Sequence, residues 1–144
     1  MTSARELRFA FNFDDLDAAL ILFRDVFGLE TIEEFEHHGS RGVLRVPSAT
    51  LELFDRDYGH HVDEIEVGRP LDYSVRVAVR IDDLAETSEA VQGSGASPLA
   101  DPVVTPWGDH NRRFTTSEGL QLTLFEAPEW RHFATAARRP FRVP

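Results

Sequence analysis

Arg8 and Arg76 hold matching places in a pattern that occurs twice, first as Leu7-Arg8-Phe9-Ala10-Phe11-Asn12-Phe13-Asp14-Asp15-Leu16 and again as Val75-Arg76-Val77-Ala78-Val79-Arg80-Ile81-Asp82-Asp83-Leu84. A guanidinium stays protonated and carries only donors, in a fork that matches a carboxylate, a phosphate or an enolate-like oxygen. Asn12 and Arg80 are likewise equivalent, so each copy places two polar side chains on the same strand face. Trp107, within Pro106-Trp107-Gly108, offers a flat indole with one N–H donor, able to stack on a flat ligand or to close the rim of a core. His110 and Arg112 follow it, lining the same mouth or simply solvated.

Other tempting groups do less. His37-His38 and His60-His61, the latter followed by Asp63-Glu64, are read as strand or loop neighbours, whose side chains point to opposite faces and do not chelate together. Gly93-Ser94-Gly95 lacks the lysine of a phosphate loop and reads as a helix stop. No serine stands in a nucleophile-elbow pattern, and the absence of cysteine excludes disulfides, thiolate zinc sites and a cysteine nucleophile. Glu33-Glu34 and Asp14-Asp15 read as solvated strand and helix-cap positions.

The elements that must position these groups follow from periodicity. Residues 7–13 alternate as a strand with Phe9, Phe11 and Phe13 towards the core. Asp14 or Asp15 caps a helix whose Leu16, Ala19, Leu20, Phe23, Val26 and Phe27 recur at helical spacing until Gly28. Strands are predicted over 30–36, 42–46 and 50–54, then a connection over 56–70 with a short ordered piece near 62–67. The second copy repeats the plan: a strand with Val75, Val77, Val79 and Ile81 on its core face, a helix from Asp83 to about Gln92, and strands near 99–104, 111–116 and 120–125, the last two joined at Ser117-Glu118-Gly119. A short helix near 129–137 is expected in the tail.

The chain has 144 residues, which suits one domain, so the two copies must share a core. The expected division is module one at about 5–55, the connection, module two at about 71–127 and a tail over 128–144. A formal net charge of −10 disfavours nucleic acid and anionic membranes as partners. No apolar run is long enough to span a bilayer, and Met1-Thr2-Ser3-Ala4-Arg5-Glu6 lacks a secretory pattern, so a cytoplasmic protein is expected.

The repeated plan, the Asp-Asp-Leu lead-in, Phe23-Arg24-Asp25-Val26-Phe27-Gly28-Leu29, Leu51-Glu52-Leu53-Phe54, Pro106-Trp107-Gly108 and Ser117-Glu118-Gly119-Leu120-Gln121-Leu122-Thr123-Leu124-Phe125-Glu126 together resemble the vicinal oxygen chelate superfamily, which includes glyoxalase I, bleomycin resistance proteins and extradiol dioxygenases. The resemblance covers about residues 5–127. It implies an α+β fold of two βαβββ modules forming a curved mixed sheet around a pocket, usually completed in a homodimer. Enzymes of that superfamily hold a divalent metal through His, Gln or Glu, and the resemblance puts Arg8, Glu52, Arg76 and Thr123 at those places. Only Glu52 retains ligand chemistry, so no metal and no cofactor are expected. The four residues are expected to face the pocket with Asn12, Thr50, Arg80 and Gln121.

Two readings of that set stand open: a salt bridge of Arg8 and Arg76 on Glu52 that fills the former metal site, or guanidinium donors offered to a ligand oxyanion. The resemblance implies metal-independent binding or sequestration of a small organic molecule in the pocket between the modules. The ligand-binding candidates are Arg8, Asn12, Glu52, Arg76, Arg80, Trp107, His110, Gln121 and Thr123. The alternative is a lyase, isomerase or dioxygenase-like enzyme with Glu52 as catalytic candidate beside Arg8 or Arg76. A third reading is an assembly or regulatory subunit. Two arginines favour an anion, in tension with the cationic drug of the bleomycin binders.

Overall fold

A computed structural model describes residues 9, 11, 13–36, 40–45, 48–50 and 52–128. Arg8, Asn12, most of the first predicted strand, the His37-His38 pair and the tail helix therefore lie outside the described residues. The fold is mixed α+β, with three α-helices and two sheets among the described residues.

The first helix begins where the sequence places it. Asp15 accepts from the Ala18 N–H at 3.0 Å and caps α1, Leu16–Leu20, which continues as a π-helical turn over Ile21–Val26 before Gly28 adopts φ 69°. Strands β1, Glu30–Glu36, and β2, Ser40–Arg45, pair antiparallel as a separate two-stranded sheet with a register shift between Thr31 and Glu33.

The next stretch departs from expectation. Residues 50 and 52–54 form no strand; the chain instead turns into α2, Arg56–Val67, inside the segment read as a connection. Asp55 caps α2 by accepting from the Tyr58 N–H at 2.8 Å, and Gly68 ends it at φ 83°, a left-handed conformation that a side chain disfavours. Phe54 is used by this helix start, its ring 4.8 Å from that of Tyr58, while Leu53 is 82% exposed. Hydrophobic periodicity could not reveal α2, because the buried positions are Val62, Asp63 and Glu66, two of them charged.

The second module follows its predicted order. Strand β3, Arg76–Arg80, leads through the Asp83 cap into α3, Leu84–Gly93; the region expected as one strand near 99–104 is two short pieces, β4, Ser97–Pro98, and β5, Val103–Val104. Strands β6, His110–Thr115, and β7, Gln121–Glu126, form a hairpin across the turn at Gly119, φ 84°. The sheet order is β3-β7-β6-β4 with β5 also on β6; β3 runs parallel to β7 and the remaining pairs are antiparallel.

One face of this sheet makes the core. Phe114, Leu122 and Leu124 have no exposed surface and pack with Leu84, Val91 and Ala96, with Val77, Val79 and Ile81 against the cluster. Leu22 of the first module's π-helical turn joins the same cluster, with Phe23, Val26 and Phe27, so the two copies share a core as expected. Some residues assigned to core faces are elsewhere. Phe9 and Phe11 are 60% and 40% exposed, and Val75, which precedes β3, is 55% exposed.

Candidate functional site

The opposite face of the second sheet is polar. Strand alternation and register place Arg76, Ala78 and Arg80 of β3 beside Gln121, Thr123 and Phe125 of β7, and these beside Thr115, Arg113 and Asn111 of β6. Arg76 is half-buried and its Nη1 donates to the Oγ1 of buried Thr123 at 2.8 Å. No described carboxylate pairs with Arg76. Gln121, the register partner of Arg76, has a buried Oε1 without a hydrogen-bond donor. Arg80 is on the same face and exposed.

Beyond Thr123 lies a buried ionic cluster that sequence reading did not single out. Arg113, the register partner of Thr123, has no exposed surface; its Nη2 pairs with Asp63 and its Nε with Glu66, both from the inward side of α2. Asn111 Nδ2 donates to the other Glu66 oxygen at 2.8 Å, and Asp63 also accepts from the Tyr73 hydroxyl at 2.7 Å and the Leu71 N–H at 3.0 Å. The Arg113 guanidinium lies 5.7 Å from the Tyr73 ring centroid. Burial works to lower the Arg113 pKa, but Glu66, then Tyr73 and Asp63, more than offset it and hold it above the ordinary arginine value. Arg113 Nη1 and Asn111 Oδ1 remain buried without partners. The signals that could have found this cluster are the Asp63 and Glu66 spacing, one helical turn apart, and the strand parity that puts Arg113 on the Thr123 side.

Other expected site residues are not gathered there. Glu52 is exposed just ahead of α2, close enough for its charge to contribute, after burial, to raising the Tyr58 pKa. Trp107 commits its indole N–H to Asp109 Oδ2 at 3.1 Å, within a turn closed by the Thr105 N–H on Asp109 O at 2.8 Å and the Gly108 N–H on Thr105 O at 2.9 Å. His110 and Arg112 point to the α3 side of β6, with the core residue Phe114: His110 Nδ1 is 3.5 Å from Glu126 Oε2, and Arg112 lies over the Phe114 ring. Glu126 also accepts from the Leu84 N–H at the start of α3. His60 and His61 stand on α2, where neighbours diverge by about 100°, so they are not side by side for a metal, although the strand geometry first assumed for them does not apply. A small cleft between the first helix and the Ser117 turn, lined by Phe13, Leu22, Phe23, Ala96 and Thr116, lies away from Arg76.

The donor set on the second module does not suit the divalent metal that the resemblance implies. Arg76 is a fixed cation hydrogen-bonded to Thr123, a poor neutral ligand. Among the described residues no three His, Cys, Asp or Glu side chains are grouped to hold a metal. What the face can do is donate: Arg76 presents a guanidinium with capacity beyond its one neutral partner.

No helix among the described residues is long and apolar enough to cross a membrane. No sequence among curated proteins matches the chain. Solved structures do share its fold. A hypothetical protein from S. aureus superposes with a TM-score of 0.59 at 13% identity, over 88% of this chain and 96% of that one. A glyoxalase/bleomycin resistance protein/dioxygenase family enzyme from Burkholderia phytofirmans PsJN gives 0.53 at 13% identity, over 79% and 91%. Lactoylglutathione lyase from Agrobacterium tumefaciens gives 0.51 at 22% identity, over 87% and 95%. The family model for the Glyoxalase/Bleomycin resistance protein/Dioxygenase superfamily matches residues 7–124, and with the duplicated plan and the fold just described, the chain belongs to that superfamily.

Proposed function

We propose that this chain binds a small organic molecule without a metal, on the polar face of the second sheet where it meets the first module, and that it sequesters the molecule rather than transforming it. The observation that carries the reading is the Arg76–Thr123 hydrogen bond: at two positions where the resemblance puts metal ligands, a guanidinium donates to a hydroxyl instead. A half-buried guanidinium with a single neutral partner suits an oxyanion, because the fork engages two oxygens at once. Arg8, Asn12, Arg80 and Gln121 complete the proposed binding set, assembled in a cytoplasmic homodimer, while Glu52, Trp107 and His110 stand away from this face and are left out of it. The enzymatic alternative needs Glu52 as a base near the arginines; its exposed place beside Tyr58 does not favour that role.

A thermal-shift screen of small carboxylates, phosphates and flat cationic drugs tests the reading, since a ligand of the native state raises its apparent stability. An oxyanion should shift the wild-type protein and leave Arg76→Ala unmoved. Equal shifts in both proteins would assign Arg76 a structural role only, and turnover of a bound compound would replace sequestration with catalysis.

A further inference from the structure

The polar face of the second sheet is built of rows that run across β3, β7 and β6. Arg76, Gln121 and Thr115 make one row, and Ala78, Thr123 and Arg113 the next. Side chains of α2 close the second row at its β6 end, where Asp63 and Glu66 hold Arg113, and Thr123 and Arg113 are both buried. The first row is only half-buried in all three side chains, so each keeps part of its surface open to solvent. Within this row two neighbours are mismatched. Arg76 and Gln121 are register partners on adjacent strands, yet Arg76 Nη1 donates diagonally to Thr123 Oγ1 at 2.8 Å and not to the Gln121 side-chain carbonyl. Gln121 Oε1 is left buried with no donor. An acceptor in that state costs free energy, which a group bringing an N–H or O–H recovers. The row thus offers donors at Arg76 and calls for one at Gln121.

We infer that the ligand of this site is a small carboxylate with a neutral hydrogen-bond donor, a hydroxyl or an amide N–H, on the carbon next to its carboxyl group. The carboxylate rests on Arg76 and the donor on Gln121 Oε1. This depends on the small-molecule reading above and narrows it. A plain carboxylate would satisfy Arg76 and leave Gln121 unserved, whereas an ammonium would serve Gln121 and face the Arg76 guanidinium. Adjacent strands lie about 4.8 Å apart, so register partners are spaced for an acceptor and a donor carried on neighbouring carbons of one molecule. The last torsion of a glutamine side chain is broad, so the amide can turn its oxygen towards the open side of the row while β7 stays in place. Thr115, the third member of the row, is neutral, so no carboxylate of this row opposes the anion.

Calorimetric titration of the full chain with two matched pairs tests the assignment: 2-hydroxyhexanoate against 2-methoxyhexanoate, and N-acetylnorleucine against its N-methyl derivative, with hexanoate as the plain acid. In at least one pair the donor-bearing acid should bind roughly tenfold more tightly than its methylated twin and than hexanoate. The pair that responds fixes the donor as O–H or N–H. Gln121→Met, which keeps the side-chain length and removes the acceptor, should bring the preferred acid down to the affinity of hexanoate. Hexanoate itself should bind this variant as it binds the wild-type protein, which shows that the site is still folded. No preference in either pair overturns the assignment whether or not the variant folds, and so does a preference that survives Gln121→Met; hexanoate binding would then leave the oxyanion on Arg76 intact. Binding by none of the probes also overturns it, and the broader reading falls with it only if the thermal-shift screen is likewise blank.

Discussion

Replacing Arg113 by Met removes the one positive charge that faces Asp63 and Glu66 while keeping much of the side-chain volume. Arg113 has no exposed surface, and its two carboxylate partners are 1% and 3% exposed, so water cannot take its place without opening the fold. Each charge-assisted hydrogen bond is worth about 1.5–3 kcal/mol, and breaking a buried pair by deleting one partner costs about 3–5 kcal/mol. A domain of this size is stable by about 5–15 kcal/mol. Arg113→Met should therefore remove about 3–5 kcal/mol, a large share of the total, visible as a lower urea midpoint with an unchanged slope. The triple variant Arg113→Met, Asp63→Asn, Glu66→Gln should be more stable than Arg113→Met alone, because it leaves no unpaired buried charge. A loss below about 1 kcal/mol for the single variant, or a triple variant whose losses simply add, would refute the cluster as the anchor of α2.

Leu122→Ala should cost about 2–5 kcal/mol by chemical denaturation, because Leu122 is fully buried in the shared core, whereas Val104→Ala, at 74% exposure, should change stability by less than about 0.5 kcal/mol. Tyr58 should titrate above its ordinary value of 10.0, chiefly from burial and secondarily from Glu52, so Glu52→Gln should lower its ultraviolet titration midpoint part of the way; an unmoved midpoint would separate the two residues. With the folded pKa raised, the neutral phenol's contribution to stability is complete below about pH 10 and is lost as pH rises through the folded value. Native mass spectrometry after exposure to zinc, manganese and nickel should show only metal-free protein, and a metal lost on substituting Glu52 or Thr123 would overturn metal-independent binding.

The sequence made the second module legible because its signals agree. Asp83 caps, the valines of β3 alternate, and the Ser117–Gly119 turn sets the β6–β7 register, so Arg76 and Thr123 could be placed on one face before any coordinates. It hid α2 because the inward face of that helix presents Asp63 and Glu66, and a pattern search for apolar residues passes over a helix that is fastened by charge. The strand expected over 50–54 failed for a related reason: Phe54 contacts Tyr58 at the helix start, although its sequence neighbourhood alternates as a strand would. His110 was expected at the pocket mouth from its nearness to Trp107 along the chain, yet strand parity sends it to Glu126 on the other side. Arg113, one parity step from Arg112, is the arginine of β6 that shares a face with Thr123, and that becomes visible only when the register is known.

The parallel pairing of β3 with β7 also dictates an order of assembly. The β6–β7 hairpin closes through a short turn and can form on the microsecond scale, but Arg76 meets Gln121 only after α3 and the β4–β6 segment have been folded back between them. Among the described residues β3 is an outer strand of its sheet, and its pairing with β7 closes the longest loop in that sheet. Amide exchange should accordingly find β3 among the first parts of the sheet to open, ahead of β6 and β7. The Arg76 guanidinium thus rides on a strand whose pairing joins parts of the chain some 45 residues apart, so a ligand held by it would also fasten that long-range closure.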